Sequence, residues 1–180
     1  NLFYRVTHFI KSNFDGKVPK GKLDKDGEEL YKKLEEAAAK IKKNVGDVHL
    51  RTALNNVFAF TSEVNKYFQK KKPWEKKNAY DVGNTIYTSV NLLRSISVML
   101  YPYISSTAEA ALNALGTKKK DINWSGILEE NIKPGQKIEA KLLFKKIEDK
   151  DLDKAKKYVS KYAKKKDIKE SEISRTEQIK

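Results

Sequence analysis

Residues 81–101 read DVGNTIYTSVNLLRSISVMLY, and this stretch decides the fold. It starts amphipathic and becomes apolar nearly all round through Leu92, Leu93, Ile96, Val98, Met99 and Leu100. A helix with no continuous polar stripe has to be covered on every side. The pattern therefore predicts a central, buried helix over about 81–101, stopped by Pro102.

The elements that cover it are legible on both flanks. Upstream, Leu2, Phe3, Val6, Phe9 and Ile10 fall on one face of an opening helix, while Asn1, Arg5, His8 and Ser12 line the other. Phe14-Asp15-Gly16-Lys17-Val18-Pro19 breaks that helix. Asp24 or Asp26 is the expected N-cap of a second helix, with Glu28 and Glu29 where the dipole favours them. Its stripe is Leu30, Leu34, Ala37, Ile41 and Val45, closed by Gly46. A third helix is expected from about Val48 to Lys71, with Leu50, Ala53, Leu54, Val57, Thr61, Val64 and Phe68 inward. Downstream, Ser105 or Ser106 is the expected cap of a short fifth helix through Ala108, Ala111, Leu112 and Leu115, ended by Gly116.

Five helices with short connections predict an all-α, antiparallel helix bundle. Beyond Gly116 the period is lost, so residues 118–135 are expected to wrap back over the bundle with Trp124 as an anchor. Residues 138–147 alternate only partly and are expected to be extended. Leu152, Ala155, Val159 and Tyr162 form a last helical stripe. The expected organisation is a helical domain with wrapping segment over 1–149, a basic terminal helix over 150–168 and a charged tail over 169–180.

Composition narrows the function. Of 180 residues, 38 are Lys or Arg and 24 Asp or Glu, so the net charge of +14 attracts polyanions. There is no cysteine, which excludes disulfides, thiolate nucleophiles and sulfur-ligated zinc. His8 and His49 are the only imidazoles and lie in different segments. No metal site and no cofactor are expected, and no Gly-rich phosphate loop or Ser-His-Asp set is present. No apolar run approaches the roughly 18 residues of a membrane span, and no signal peptide opens the chain. No membrane partner and a cytoplasmic location are expected. The chain also lacks an initiator Met and starts inside a helix, which reads as a piece of something longer.

The most informative charged stretch is 66–77, with six lysines, one acid at Glu75, and Trp74 directly after Pro73. Lysines in the last turn of a helix suit the macrodipole, and a loop tryptophan can simply tuck into a core. Alternatively, the lysines attract phosphates while an indole stiffened by the preceding proline offers a face for a nucleobase. Arginine is scarce, so Arg5 on the polar face of the first helix is notable, because its planar fork can read base edges bidentately. For Arg51 and Arg94 a structural ion pair is the simpler reading.

Several of these residues recur in a known order. Asn1-Leu2-Phe3-Tyr4-Arg5-Val6, the 14–19 loop, Arg51-Thr52-Ala53-Leu54, Asn65-Lys66-Tyr67 and Pro73-Trp74 resemble the anticodon-binding domain of methionyl-tRNA synthetases. So do Leu100-Tyr101-Pro102-Tyr103, Leu115-Gly116, Trp124, Pro134-Gly135 and Leu143-Phe144-Lys145-Lys146-Ile147-Glu148. The resemblance implies an α-helix bundle that recognises the CAU anticodon of methionine tRNA. It implies that Asn1 and Arg5 read base edges, that Trp74 stacks on the wobble cytosine, and that His8, Lys71, Lys72 and Lys76 are available for loop or phosphate contacts. The family's catalytic signatures are absent, so this chain is not expected to be an enzyme by itself. ATP and methionine would bind a catalytic domain elsewhere in the parent protein, and the expected state is a monomer. The competing expectation is a basic helical scaffold that docks an acidic partner within a synthetase assembly.

Overall fold

The computed structural model describes residues 1–76, 78–118 and 121–162. Lys77 of the basic run, Lys119 and Lys120, residues 163–168 of the expected terminal helix and the expected tail lie outside the described residues. Five helices form the first compact unit, Asn1–Leu143: α1 (Leu2–Asn13), α2 (Lys25–Gly46), α3 (Leu50–Lys71), α4 (Ala79–Leu100) and α5 (Ser105–Ala114). The second unit begins at Phe144, and its described part carries a helix over 149–162, α6. On this helix Tyr158 and Tyr162 pair with ring centroids 4.6 Å apart.

α4 is the centre of the bundle, flanked by α1, α3 and α5, with every residue from Val82 to Met99 buried. Val90, Leu92 and Met99 are wholly enclosed, each stabilising by about 1.5–3 kcal/mol relative to exposure. Most of its buried polar side chains serve the backbone. The Asn84 Oδ1 accepts from the Lys22 N–H at 2.9 Å. Asn91 donates to the Ile132 carbonyl at 3.1 Å and accepts from the Ile132 N–H at 2.8 Å. Ser95 donates to the Ile127 carbonyl at 2.6 Å. Arg94 is 1% exposed, and it donates to the carbonyls of Gly126 at 2.7 Å and Asp121 at 3.2 Å. Burial disfavours its charge and lowers its pKa. Arg94 is therefore structural, as expected, but backbone carbonyls hold it where an ion pair was anticipated.

These bonds explain why residues 121–138 wrap the bundle although they have no period of their own. Trp124 is partly buried against the core, as its anchoring role required. Residues 138–147 form no strand; the pairing lies just before them, an isolated antiparallel bridge between Lys17 and Lys137, flanked by Gly135 N–H to the Val18 carbonyl at 2.8 Å and Ile138 N–H to the Gly16 carbonyl at 2.7 Å. Gly21 and Gly83 meet where the 20–22 loop crosses α4. A Cβ on Gly83 would collide with the Lys20 carbonyl, and one on Gly21 with the Gly83 carbonyl.

Helix ends depart from expectation in two places. α3 starts at Leu50 and not at Val48, because Val48 turns the chain with φ 61°, and Leu50 is consequently exposed. Phe60 and Tyr67 are buried instead, a second row beside the expected stripe. Neither Ser105 nor Ser106 caps α5: Ile104 occupies the cap position, and its N–H donates to the Leu100 carbonyl at 3.0 Å, so the turn feeds directly into the helix. The Asp24 cap is as expected, accepting from the Gly27 N–H at 2.8 Å.

Candidate nucleic-acid interface

Asn1 sits at the N-cap of α1 with its side chain exposed, and its carbonyl accepts from the Arg5 N–H at 3.0 Å. Four residues on, Arg5 shares its face. A further turn on, His8 stacks at a tilt against Tyr4, ring centroids 5.2 Å apart, and its Nδ1 lies 3.5 Å from the Ser12 hydroxyl. The polar face read from spacing is therefore continuous.

The other half of the site comes from the end of α3. Lys72 closes that helix in the left-handed region at φ 41°, with its N–H donating to the Phe68 carbonyl at 3.2 Å. The reversal buries Pro73 and carries Trp74 back over Phe68, ring centroids 5.8 Å apart and edge to face. Trp74 is nonetheless 47% exposed. Arg5 lies against both rings, its Cζ 5.3 Å from the Phe68 centroid and 5.6 Å from that of Trp74. A guanidinium so placed gains from the ring quadrupole while keeping its donors accessible. The structure thus joins two of the three residues singled out for base recognition, Arg5 on α1 and Trp74 in the turn that follows α3.

Beside Trp74 opens a groove of about 490 Å³, lined by Phe9, Asn13, Phe14, Pro73, Lys76 and Val82 among others. Aromatic walls with an amide and a cation can admit an unstacked base. The lysines nearby divide by occupation. Lys71 is only 14% exposed and bridges Asp24 and Asp26, each at 2.6 Å. Burial works against its charge, but the hydrogen bonds to both carboxylates outweigh this and raise its pKa. The same contact with Lys71 lowers the pKa of Asp26, against a smaller effect of burial. Lys71 therefore ties the end of α3 to the start of α2. Lys72 reaches Glu75 at 3.1 Å in an exposed pair and Lys76 approaches Asp81 at 3.9 Å in a half-exposed one, loose contacts that a phosphate can replace.

Sequence reasoning passed over Gln69, which occupies the last turn of α3 one residue after Phe68. A guanidinium has donors only, so the Gln69 amide presents its oxygen to Arg5, accepting from Nη1 at 2.7 Å and Nη2 at 3.1 Å. An exposed glutamine in a lysine run carries no signal until α1 is known to lie beside it. Among the described residues, no three His, Cys, Asp or Glu side chains are grouped to hold a metal ion. No described helix is long and apolar enough to cross a membrane.

Comparison with known proteins gives this geometry a context. The chain is 32% identical over 154 residues to the methionine–tRNA ligase of Methanosarcina acetivorans, covering 83% of this chain and 21% of that one. It is 31% identical over 160 residues to the enzyme of Methanocaldococcus jannaschii, covering 87% and 23%. The chain thus spans about a fifth of the length of these relatives. Its fold matches free Mycobacterium tuberculosis methionyl-tRNA synthetase with a TM-score of 0.76 at 18% identity, over 82% of this chain and 31% of that one. The family model for the anticodon-binding domain of methionyl-tRNA ligase matches residues 18–167, a span that includes Trp74 and begins after Asn1 and Arg5. With that model covering most of its length and an α-helix bundle of the same fold, the chain belongs to the methionyl-tRNA ligase anticodon-binding domain family.

Proposed function

We propose that this chain binds the anticodon loop of methionine tRNA and distinguishes its CAU triplet, as the recognition domain of a methionine–tRNA ligase. The observation that carries this reading is the pairing of Arg5 with a half-exposed Trp74, centroid distance 5.6 Å, at the mouth of an aromatic groove. Lysine-rich surface attracts the loop phosphates, the wobble cytosine unstacks onto Trp74, and Arg5 with Asn1 hydrogen-bonds its edge. Lys72, Lys76 and His8 flank the entering strand. On this reading the chain contributes specificity and no chemistry. ATP and methionine belong to the catalytic domain of the parent ligase, to which residues 1–149 are attached as a monomeric, cytoplasmic module with the basic helix and tail following.

The test is binding, at near-physiological salt, to the methionine anticodon stem-loop and to one with its CAU changed, each repeated with Trp74→Ala. Stacking of one base is worth about 1–3 kcal/mol, so the substitution is expected to weaken CAU binding roughly 5- to 150-fold and abolish the preference. Weak, salt-sensitive binding should remain. Equal binding of both loops, unchanged by Trp74→Ala, refutes the reading and favours the basic scaffold that docks an acidic partner.

A further inference from the structure

The contact between Gln69 and Arg5 has a consequence for how the guanidinium is presented. Both Nη atoms converge on one amide oxygen, at 2.7 and 3.1 Å. That oxygen takes up the end-on edge of the fork. The side edge, formed by Nε–H and the outer Nη–H, stays available for a planar acceptor pair such as a base edge. The rings of Phe68 and Trp74 bound the guanidinium at 5.3 and 5.6 Å from their centroids, and the two bonds to Gln69 restrict its rotation. A neutral acceptor does this without cancelling the charge, whereas a carboxylate would form a bidentate ion pair and mask it.

We propose that Gln69 is the positioning residue for Arg5, holding its fork preformed against the indole so that base recognition incurs less ordering cost. This rests on the anticodon-loop reading for its biological role, but the positioning itself can be measured without RNA. Long side chains lose about 0.5–1.5 kcal/mol each when ordered on binding, so preorganisation of one arginine corresponds to roughly a 2- to 12-fold gain in affinity.

The experiment uses the whole chain with ¹⁵N-labelled arginine, in which Arg5, Arg51, Arg94 and Arg175 are the only arginines and Arg5→Lys assigns the Arg5 signal. In the wild type, the Arg5 Nε–Hε heteronuclear NOE is expected to approach that of buried Arg94. In Gln69→Leu, similar in length and a good helix former, it should fall to the level of exposed Arg51, while Gln69→Glu should retain it. An Arg5 equally ordered in Gln69→Leu overturns the proposal. In stem-loop binding, Gln69→Leu should reduce the preference for the unaltered wobble cytosine several-fold and have no further effect in an Arg5→Ala background. Gln69→Glu should keep the preference while weakening both loops. Full preference in Gln69→Leu, or additive losses with Arg5→Ala, also overturns it. If the wild type prefers neither loop, the anticodon reading falls and the relaxation measurement alone decides the role of Gln69.

Discussion

Replacing Asn91 by alanine tests whether the wrapping segment is held by α4 side chains. Asn91 is fully buried and forms a reciprocal pair with Ile132, itself 1% exposed, and its amide also donates to the Tyr87 carbonyl at 3.1 Å. Alanine leaves the Ile132 N–H without an acceptor and its carbonyl without this donor, in a place water does not reach. An unsatisfied buried polar group costs about 1–3 kcal/mol. With two groups affected and partial relaxation of the segment, the expected loss is about 3 kcal/mol. For a unit of this size that lowers Tm by about 6–12 °C. The assay is urea and thermal unfolding followed by circular dichroism, with amide exchange at Ile132 as the local reading. A loss below about 1 kcal/mol, or undiminished protection of the Ile132 amide, refutes the reasoning. Stem-loop affinity below the transition should be unchanged, because Arg5 and Trp74 stand on other elements.

Gly83→Ala should destabilise the bundle by about 1–3 kcal/mol in thermal unfolding, since its methyl meets the Lys20 carbonyl and the 20–22 loop has to move away. Lys71→Met should lower stability yet leave the slope of log affinity against log salt unchanged, whereas Lys76→Met should leave stability intact and reduce that slope by about 1. Glu63, bridged by Lys33 and Lys66 at 2.7 Å each, has its pKa lowered to about 2 from the ordinary 4.5. Its folded pKa is depressed, so its contribution is present above pH 4.5 and lost as pH falls towards 2; Glu63→Gln should flatten that part of the stability profile.

The helical skeleton was legible because burial imposes a 3.6-residue period, and α4 stood out because it has no exposed stripe. Stripes on α2 and α3 were read as one row wide, so Phe60 and Tyr67 were missed and Leu50 was placed inside. That error follows from Val48, whose left-handed turn delays the start of α3 and carries no mark in a β-branched residue. The wrapping segment was recognised only by its lack of period. Its path depends on side chains of α4, a helix remote in sequence, and so no local pattern in residues 121–138 could give it. In the site, Asn1 and Arg5 share a face by spacing alone, and Pro73-Trp74 announced a stiffened aromatic. Gln69 and the carboxylate partners of Lys71 depend on which helix ends meet, which spacing within one helix does not encode.

The way α4 grips the loops separates two demands on the chain. Asn84, Asn91, Arg94 and Ser95 hold their partners by backbone N–H and carbonyl groups, which every residue type at those loop positions supplies, proline's missing N–H excepted. The course of the loops is thereby set in large part by four side chains of one helix, with Trp124 and Ile127 packing the loop onto the core, and the exposed loop side chains are free to change. Exchanges at exposed loop positions such as Asp121, Leu128 and Glu129 should leave the chain's course intact, while a single exchange among those four loosens it, so mutational tolerance in this domain is set by the helix and expressed in the loops.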